Sequence, residues 1–408
     1  MDKYIEIINN YINTIFINEF PDIIKSQILN LLNGGGKKFR PVLFIIFAGG
    51  LQNNILHVAC LIELIHNISL IIDDLPDMDN EIVRRNKPTF HIKNGIQYTH
   101  FFIYYLLNKC FIMLSNIDYN IDCIPGNTNS IDNKNIKTIQ DIISIFKINL
   151  NSLIDGQFID IEYTFNNDNN KFINLIEKYF TSHNDIMVYN NISNIIKKSQ
   201  IQQQPNTQPN TQLQQLNPEI VNEFTKEKTA ILVNISLNLK KTASLFNIAI
   251  IGGLFYQLLN KNIEYDVAQK CFNRDIEKEM EYTGINNDGT KHNYIGYNIL
   301  DDIENIEDIY KSVYDNTIFK ILVVLSNMLG YLFQVGDDIL DFEKDKIHNK
   351  PNICNHLTIT TTRYILDSGC EWLILSFKII AEKLKTISPD IEIDIKTLEI
   401  IIKNIKNR

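Results

Sequence analysis

Apolar residues recur at three- and four-residue intervals along Tyr4 to Leu32, Ile55 to Ile72, Phe101 to Leu114, Ile136 to Phe165, Val221 to Leu259 and Tyr314 to Phe342. That spacing lines up one face of an α-helix and predicts an all-α protein. Strand-type alternation between turn signals is scarce, although the many isoleucines blur local propensity. Three stretches break the pattern. Asn116 to Lys137, with Pro125, Gly126 and repeated Asn, reads as a loop. Residues 166–218 degenerate into the short tandem repeat around Gln203-Gln204-Pro205-Asn206-Thr207. They bury too little apolar surface to offset ordering entropy and read as a disordered insertion. Residues 260–310 are polar and charged, with Gly284 and Gly289, and read as a second surface insertion. The whole, 1–408, reads as one helical domain with expansions, and no solenoid period recurs.

The apolar share of 45% is ample for a large core. A net charge of −9 argues against nucleic acid as a partner, so an anionic substrate needs a local basic patch or a metal. The six cysteines, Cys60, Cys110, Cys123, Cys271, Cys354 and Cys370, include no Cys-x-x-Cys pair. They read as reduced thiols in a reducing compartment. Met1 to Asn10 has neither secretory nor transit-peptide character, so the expected location is cytoplasmic, with an organelle left open. The longest apolar run, Ser244 to Leu259, is interrupted by Asn247, Gly252, Gly253 and Gln257. It reads as a buried helix, and no transmembrane segment is expected.

Two aspartate clusters follow apolar runs: Asp73-Asp74-Leu75-Pro76-Asp77-Met78-Asp79 and Asp337-Asp338-Ile339-Leu340-Asp341. Like charges repel and burial penalises the ionised carboxylate, so divalent cations held between two facing helices account for both clusters. Oxygen ligands without thiol or imidazole favour magnesium. Asp73 and Asp77 would share a helical face, but Pro76 crowds the backbone there. The helix is therefore expected to end near Asp74, letting Asp79 swing back as the alternative ligand to Asp77. In the second cluster Asp337 and Asp341 should share a face, with Asp338 alongside and Phe333, Ile339, Leu340 and Phe342 free to pack. Asp301-Asp302-Ile303-Glu304, with Glu307 and Asp308 nearby, reads as a solvated charge run. Basic residues supply the other half. Gly34-Gly35-Gly36-Lys37-Lys38-Phe39-Arg40-Pro41 joins a glycine turn to three cations, and Arg84-Arg85-Asn86-Lys87 follows the first acidic cluster. Glycines let amides approach an anion, and Lys and Arg neutralise it.

In this order the residues resemble the trans-isoprenyl diphosphate synthases. The elements are Gly35 to Pro41, His66 seven residues before Asp73, Asp73 to Asp79 with Arg84-Arg85, Gly156-Gln157-Phe158-Ile159-Asp160, Lys241-Thr242, and Phe333 to Asp341. The resemblance spans residues 30 to 358 apart from the expansions. It implies an isoprenoid synthase-type helical bundle around a central cavity, a homodimer, and three Mg2+ ions. Asp73, Asp74, Asp77 or Asp79, and Asp337 would hold the metal, with Asp338 and Asp341 completing the second motif. An allylic diphosphate (dimethylallyl, geranyl or farnesyl) would bind those ions, helped by Arg84, Lys241 and Lys350. Lys37, Arg40, His66 and Arg85 would hold isopentenyl diphosphate. Thr242 and Gln334 would line the reacting centre, with Gln157 a further substrate contact.

The implied reaction is head-to-tail condensation through an allylic carbocation. Ile68 and Ser69, with Ile65 and Leu64 one turn below, would form the floor of the chain tunnel. None is aromatic, which points to geranylgeranyl diphosphate, with farnesyl or longer products as alternatives. A terpene cyclase would not need the Lys37, Arg40, His66 and Arg85 set, and a non-catalytic regulatory subunit usually lacks aspartates that both motifs keep here. Departures are Asn86 where the family has glycine, and Asn349-Lys350 and Asn355-His356 where it has Gly-Lys pairs.

Overall fold

The computed structural model describes residues 1–116, 133–165, 231, 234–235, 237–261, 283–285, 291–293, 317–347 and 352–408. Lys350, the 166–218 insertion, the Asp301 to Asp308 run and most of 260–310 lie outside the described residues.

Helices dominate, but their boundaries correct several expectations. The Tyr4 to Leu32 stretch is two helices, α1 (Asp2–Thr14) and α2 (Asp22–Leu32), joined by a 3-10 turn at Phe16–Glu19. Pro21 is the cause. It holds Phe20 in an extended conformation (φ −115°, ψ 146°) and itself starts α2. α3 (Phe39–Ala48) has no amphipathic period to read, because all ten of its residues are buried. α4 (Asn53–Asp73) follows, then a small hairpin of β1 (Val83–Arg84) and β2 (Lys87–Pro88). Beyond it come the short α5 (Phe90–Asn94), α6 (Ile96–Ser115) and α7 (Asn133–Phe165). The apolar run after residue 238 is interrupted by two π-helical turns, Leu239–Ala243 and Ile248–Gly252. The turns flank α8 (Ser244–Asn247), and α9 (Gly253–Asn260) follows. Strands β3 (Thr283–Ile285) and β4 (Lys291–Asn293) pair inside the predicted second insertion. α10 (Thr317–Ile347), α11 (Ile359–Ile387) and α12 (Ile395–Lys406) complete the chain.

The described residues gather into two units. In the first, α3 packs on α4 and on α9, and α4 also packs on α6. Gly253 permits the α9 contact: a Cβ there would lie 2.8 Å from the Phe44 carbonyl oxygen. Gln257, polar within an apolar run, is fully buried. Its amide donates to the Phe47 carbonyl at 3.0 Å and to the Glu392 carbonyl at 2.8 Å, and its oxygen accepts from the Glu392 amide. A side chain with every group paired costs little to bury. α4 is long and apolar enough to span a membrane by length and composition, yet 72% of its apolar window is buried within the protein. In the second unit α10 packs on α11 and against the Leu239–Ala243 turn. Gly330 and Gly369 allow those approaches, since a Cβ on either would collide with Ala243 or Leu332.

Candidate active site

In the first unit α4 ends at Asp73, as the proline predicts. The Asp74 amide still reaches the Leu70 carbonyl at 3.1 Å, and then the chain doubles back. The Asp79 amide donates to the Asp73 carbonyl at 2.9 Å and the Asn80 amide to the Leu75 carbonyl at 2.9 Å. Asp73, Asp77 and Asp79 thus share one tight return turn, with Asp77 and Asp79 exposed and Asp73 partly so. A helix C-terminus carries the negative end of the macrodipole, so carboxylates gathered there are destabilised until a cation offsets them.

Neighbouring residues on a helix point about 100° apart. One stripe of α4 therefore carries His66 and Asp73; the next carries Glu63, Asn67 and Asp74. The second stripe clamps two basic segments. Asp74 is buried, and its Oδ1 accepts from Nε and Nη2 of Arg84, each at 2.7 Å. Burial pushes the Asp74 carboxyl above its ordinary value, and Arg84 opposes that shift. Glu63 is buried 3.7 Å from the Lys38 ammonium, which also donates to the Leu32 carbonyl at 2.5 Å. Lys38 takes a left-handed conformation (φ 47°) that turns it inward, while Lys37 stays exposed, 5.7 Å from the Phe39 ring centroid. Arg40 is buried in the first turn of α3, with Nη1 3.3 Å from Nε2 of His66. Burial, and then the charges of Arg40, Arg85, Arg84 and Lys38, hold the His66 imidazole well below its ordinary value. It is neutral, and Nε2 accepts from Arg40.

The hairpin pairs Val83 with Pro88 and Arg84 with Lys87. Its two turn residues, Arg85 (φ 52°) and Asn86 (φ 60°), are both left-handed, the geometry of a type I′ turn. Asn tolerates that conformation, so Asn86 fills the glycine position without breaking the turn. The Arg85 guanidinium donates to the Gly35 carbonyl at 2.5 Å and lies over Gly36, where a Cβ would come within 2.9 Å of it.

In the second unit, Gly156 of α7 lets the helix approach the Leu239–Ala243 turn; a Cβ there would sit 2.6 Å from the Lys241 amide nitrogen. One turn on, Asp160 pairs with the Lys241 ammonium at 2.7 Å. Asp160 is thus the polar partner this motif supplies, whereas Gln157 makes no hydrogen bond among the described residues. Thr242 donates to Oε1 of Gln334 at 3.1 Å, and Nε2 of Gln334 donates to Oδ1 of Asp338 at 2.9 Å. Asp338 is buried, and its Oδ2 accepts from the Ile353 amide at 2.9 Å. Asn352 donates to the Asp338 backbone carbonyl at 2.8 Å. Burial pushes the Asp338 carboxyl up to about 7, against the pull of the Ile353 and Gln334 hydrogen bonds. Asp337, partly exposed, pairs with Arg408, whose guanidinium lies 3.9 Å over the Phe333 ring. Asp341 is exposed. So is Leu340, at 61%, contrary to the expectation that it packs: it follows Asp341 to the solvent side of α10.

Sequence reasoning took Lys38 only as one of three cations in the glycine turn, and it missed Glu63, Asn352 and Arg408. Only Glu63, an acid inside an apolar run, gave a signal. Among the described residues no three His, Cys, Asp or Glu side chains converge as a ready-made metal site. The donors the site offers are carboxylate oxygens, the ligand type magnesium takes together with waters and substrate phosphates.

Residues 21–185 match the polyprenyl synthetase family model. A geranylgeranyl diphosphate synthase of Cyanophora paradoxa is 43% identical over 93 residues, 22% of this chain and 31% of its own length. A farnesyl diphosphate synthase of Bacillus subtilis (strain 168) is 45% identical over 76 residues, 18% of this chain and 26% of its own. The chain therefore matches less than a third of the length of these two relatives. A Helicobacter pylori geranyltransferase, solved with magnesium and isoprenyl diphosphate, superposes with a TM-score of 0.52 at 18% identity. That match covers 95% of this chain and 90% of the other, and it establishes the all-α isoprenoid synthase fold. The ordered motifs and the fold agree with that match, so residues 21–185 resemble the polyprenyl synthetase family.

Proposed function

We propose that this protein is a trans-prenyltransferase that joins isopentenyl diphosphate head to tail to an allylic diphosphate, with geranylgeranyl diphosphate as its product. The observation that carries this is the basic cluster of Arg40, Arg85 and Lys38 around a neutral His66, on the helix that ends in the Asp73 turn. A cyclase working on one diphosphate has no use for that second anion site.

In this reading Lys37, Arg40 and Arg85 hold the isopentenyl diphosphate, and His66 fixes the Arg40 guanidinium by accepting a hydrogen bond from it. Asp73, Asp77 or Asp79, and Asp337 would hold Mg2+, which would stabilise the charge of the leaving diphosphate. Arg84, oriented by Asp74, and Lys241, oriented by Asp160, each offer fixed positive charge to a diphosphate. The allylic carbon–oxygen bond breaks with its electron pair going to diphosphate. The isopentenyl double bond then attacks the allylic cation. A proton lost from the adjacent carbon to a departed diphosphate oxygen completes the product. Thr242 and Gln334, locked by one hydrogen bond, present fixed dipoles beside the cation. No side-chain nucleophile is required. The likeness to geranylgeranyl and farnesyl diphosphate synthases and to the H. pylori complex supports this reading.

The aliphatic Ile68 and Leu64, both buried, support a twenty-carbon product. A homodimer is supported by the exposed aromatic stripe of α6, with Phe101 at 74%, Tyr104 at 63% and Phe111 at 64%. The widely spaced, buried free thiols support a reducing, cytoplasmic setting. The test is incubation with radiolabelled isopentenyl diphosphate, farnesyl diphosphate and Mg2+, followed by chromatography of the products. Extension to geranylgeranyl diphosphate is expected; no extension with any allylic primer overturns the function.

A further inference from the structure

Beside the Asp73 stripe of α4 lies a cavity of about 510 Å³, most of whose lining the chemistry above does not use. It belongs wholly to the first unit, between α2, the second stripe of α4, the hairpin and α5. Lys37, Arg40, His66 and Asp73 are not in its lining. Its volume falls in the range of small-molecule pockets, about 300–1,000 Å³.

The charged lining is Arg84, Arg85, Lys87 and Lys93 against one carboxylate, Asp74, which already accepts from Arg84 at 2.7 Å. Lys87 and Lys93 form no ion pair among the described residues. In a chain of net charge −9 this surplus runs against the average surface and creates a local positive potential. The rest of the wall is largely apolar: Leu31, Leu70, Ile71 and Phe90. A bare inorganic anion would leave those side chains unmatched, and a neutral ligand would leave the cations unmatched.

We propose that this cavity binds a single-chain organic phosphate, at a site that shares Arg84 and Arg85 with those of the two condensing substrates but not Lys37, Arg40, His66 or Asp73. The head group meets Lys87, Lys93 and the near side of Arg84 and Arg85, while the chain lies against α4 and Phe90. Arg84 and Arg85 also belong to the proposed substrate sets, so an occupant competes for them and slows chain extension. That inhibitory consequence rests on the proposed function; the binding itself does not.

The probe is decyl phosphate, titrated calorimetrically into the full chain in EDTA, with inorganic phosphate as a second titrant. Wild type is expected to bind decyl phosphate at least tenfold more tightly than inorganic phosphate. The double variant Lys87→Glu, Lys93→Glu should weaken decyl phosphate at least tenfold, and Leu70→Trp, which fills the cavity without changing charge, should do the same. Lys37→Ala should bind as wild type does. With Mg2+ and both substrates, decyl phosphate should inhibit wild type but not the double variant, whose uninhibited extension stays within twofold of wild type. Absence of binding at millimolar decyl phosphate overturns the site. So does equal affinity for inorganic phosphate, or loss of binding in Lys37→Ala in place of the cavity variants. If the protein extends no prenyl chain yet shows this binding pattern, the proposed function fails and the site stands.

Discussion

The two Asp-Asp pairs look alike in sequence and are treated alike in one respect. At each, the first carboxylate, Asp73 or Asp337, stays partly exposed, and the second, Asp74 or Asp338, is buried and engaged by the protein. They differ in what neutralises the buried member. Asp74 meets a cation, Arg84, delivered by the hairpin. Asp338 meets only neutral donors, the Gln334 amide and the Ile353 backbone. A charge balanced by a charge stays ionised and transmits orientation to the Arg, whereas a charge held by dipoles alone tends to keep its proton. Within each pair, then, one aspartate is partly exposed and its neighbour is tied into the scaffold.

The sharpest way to break this division is to separate activity from stability. Asp73→Ala and Asp337→Ala are expected to lower chain extension about a thousandfold, the scale of losing a transition-state charge contact. The urea midpoint of Asp73→Ala should stay within a few tenths of a molar of wild type, and that of Asp337→Ala, which also loses the Arg408 pair, should fall modestly. Full activity in either variant would remove that residue from the metal set, and a collapsed midpoint would make it a scaffold residue like its neighbour.

The next largest effect concerns Asp338 and pH. Its folded value of about 7 lies above the ordinary 3.8, so the native state keeps a proton that the unfolded chain has lost. Its contribution to stability is full below 3.8, declines as pH rises from 3.8 to about 7, and is lost above. At about 1.4 kcal/mol per unit, the whole change is at most about 4 kcal/mol. Urea unfolding in EDTA at pH 5 and pH 8 should show the decline, and Asp338→Asn should flatten it. A slope unchanged in Asp338→Asn would assign the pH dependence elsewhere.

Asp74→Ala leaves Arg84 without its partner. Breaking a fully buried pair costs about 3–5 kcal/mol, but Arg84 is about a third exposed, which screens the loss to about 2 kcal/mol. Activity should fall with it, through a raised KM for the allylic substrate as Arg84 loses its orientation. If stability drops and KM does not move, the pair is scaffold only.

How much of this was legible follows from the physics of each signal. The end of α4 was readable because Pro76 cannot continue a helix, and the return of Asp79 towards Asp73 follows from it. The long amphipathic helices were readable from their period. α3 was not, since a helix buried on every side has no polar face to mark its turns. The π-helical setting of Lys241 and Thr242 left no local mark, because it depends on close approach by Gly156 and Gly330 from distant segments. Lys37 and Lys38 are identical in type. Their opposite fates depend on one left-handed backbone angle and on Glu63, which lies a helix away. Likewise nothing in Asp-Asp says which carboxylate turns inward.

The smallest effect tests whether the hairpin, and not only its ion pair, aims Arg84. Asn86 sits at φ 60°, next to Arg85 at φ 52°. Asn86→Gly removes the left-handed strain but gives the unfolded chain more freedom, so stability should change by less than about 0.5 kcal/mol. Asn86→Val places a β-branched side chain where left-handed backbone costs about 1–2 kcal/mol. The turn can shed that strain only by moving Arg84 relative to Asp74. If the hairpin does the aiming, Asn86→Val should raise the allylic KM in the same direction as Asp74→Ala, by a smaller factor, while Asn86→Gly leaves it alone. Equal KM values in both Asn86 variants would show that the Asp74 carboxylate positions Arg84 whatever the turn does. The first pair would then depend, as the second does, on contacts to the aspartate alone.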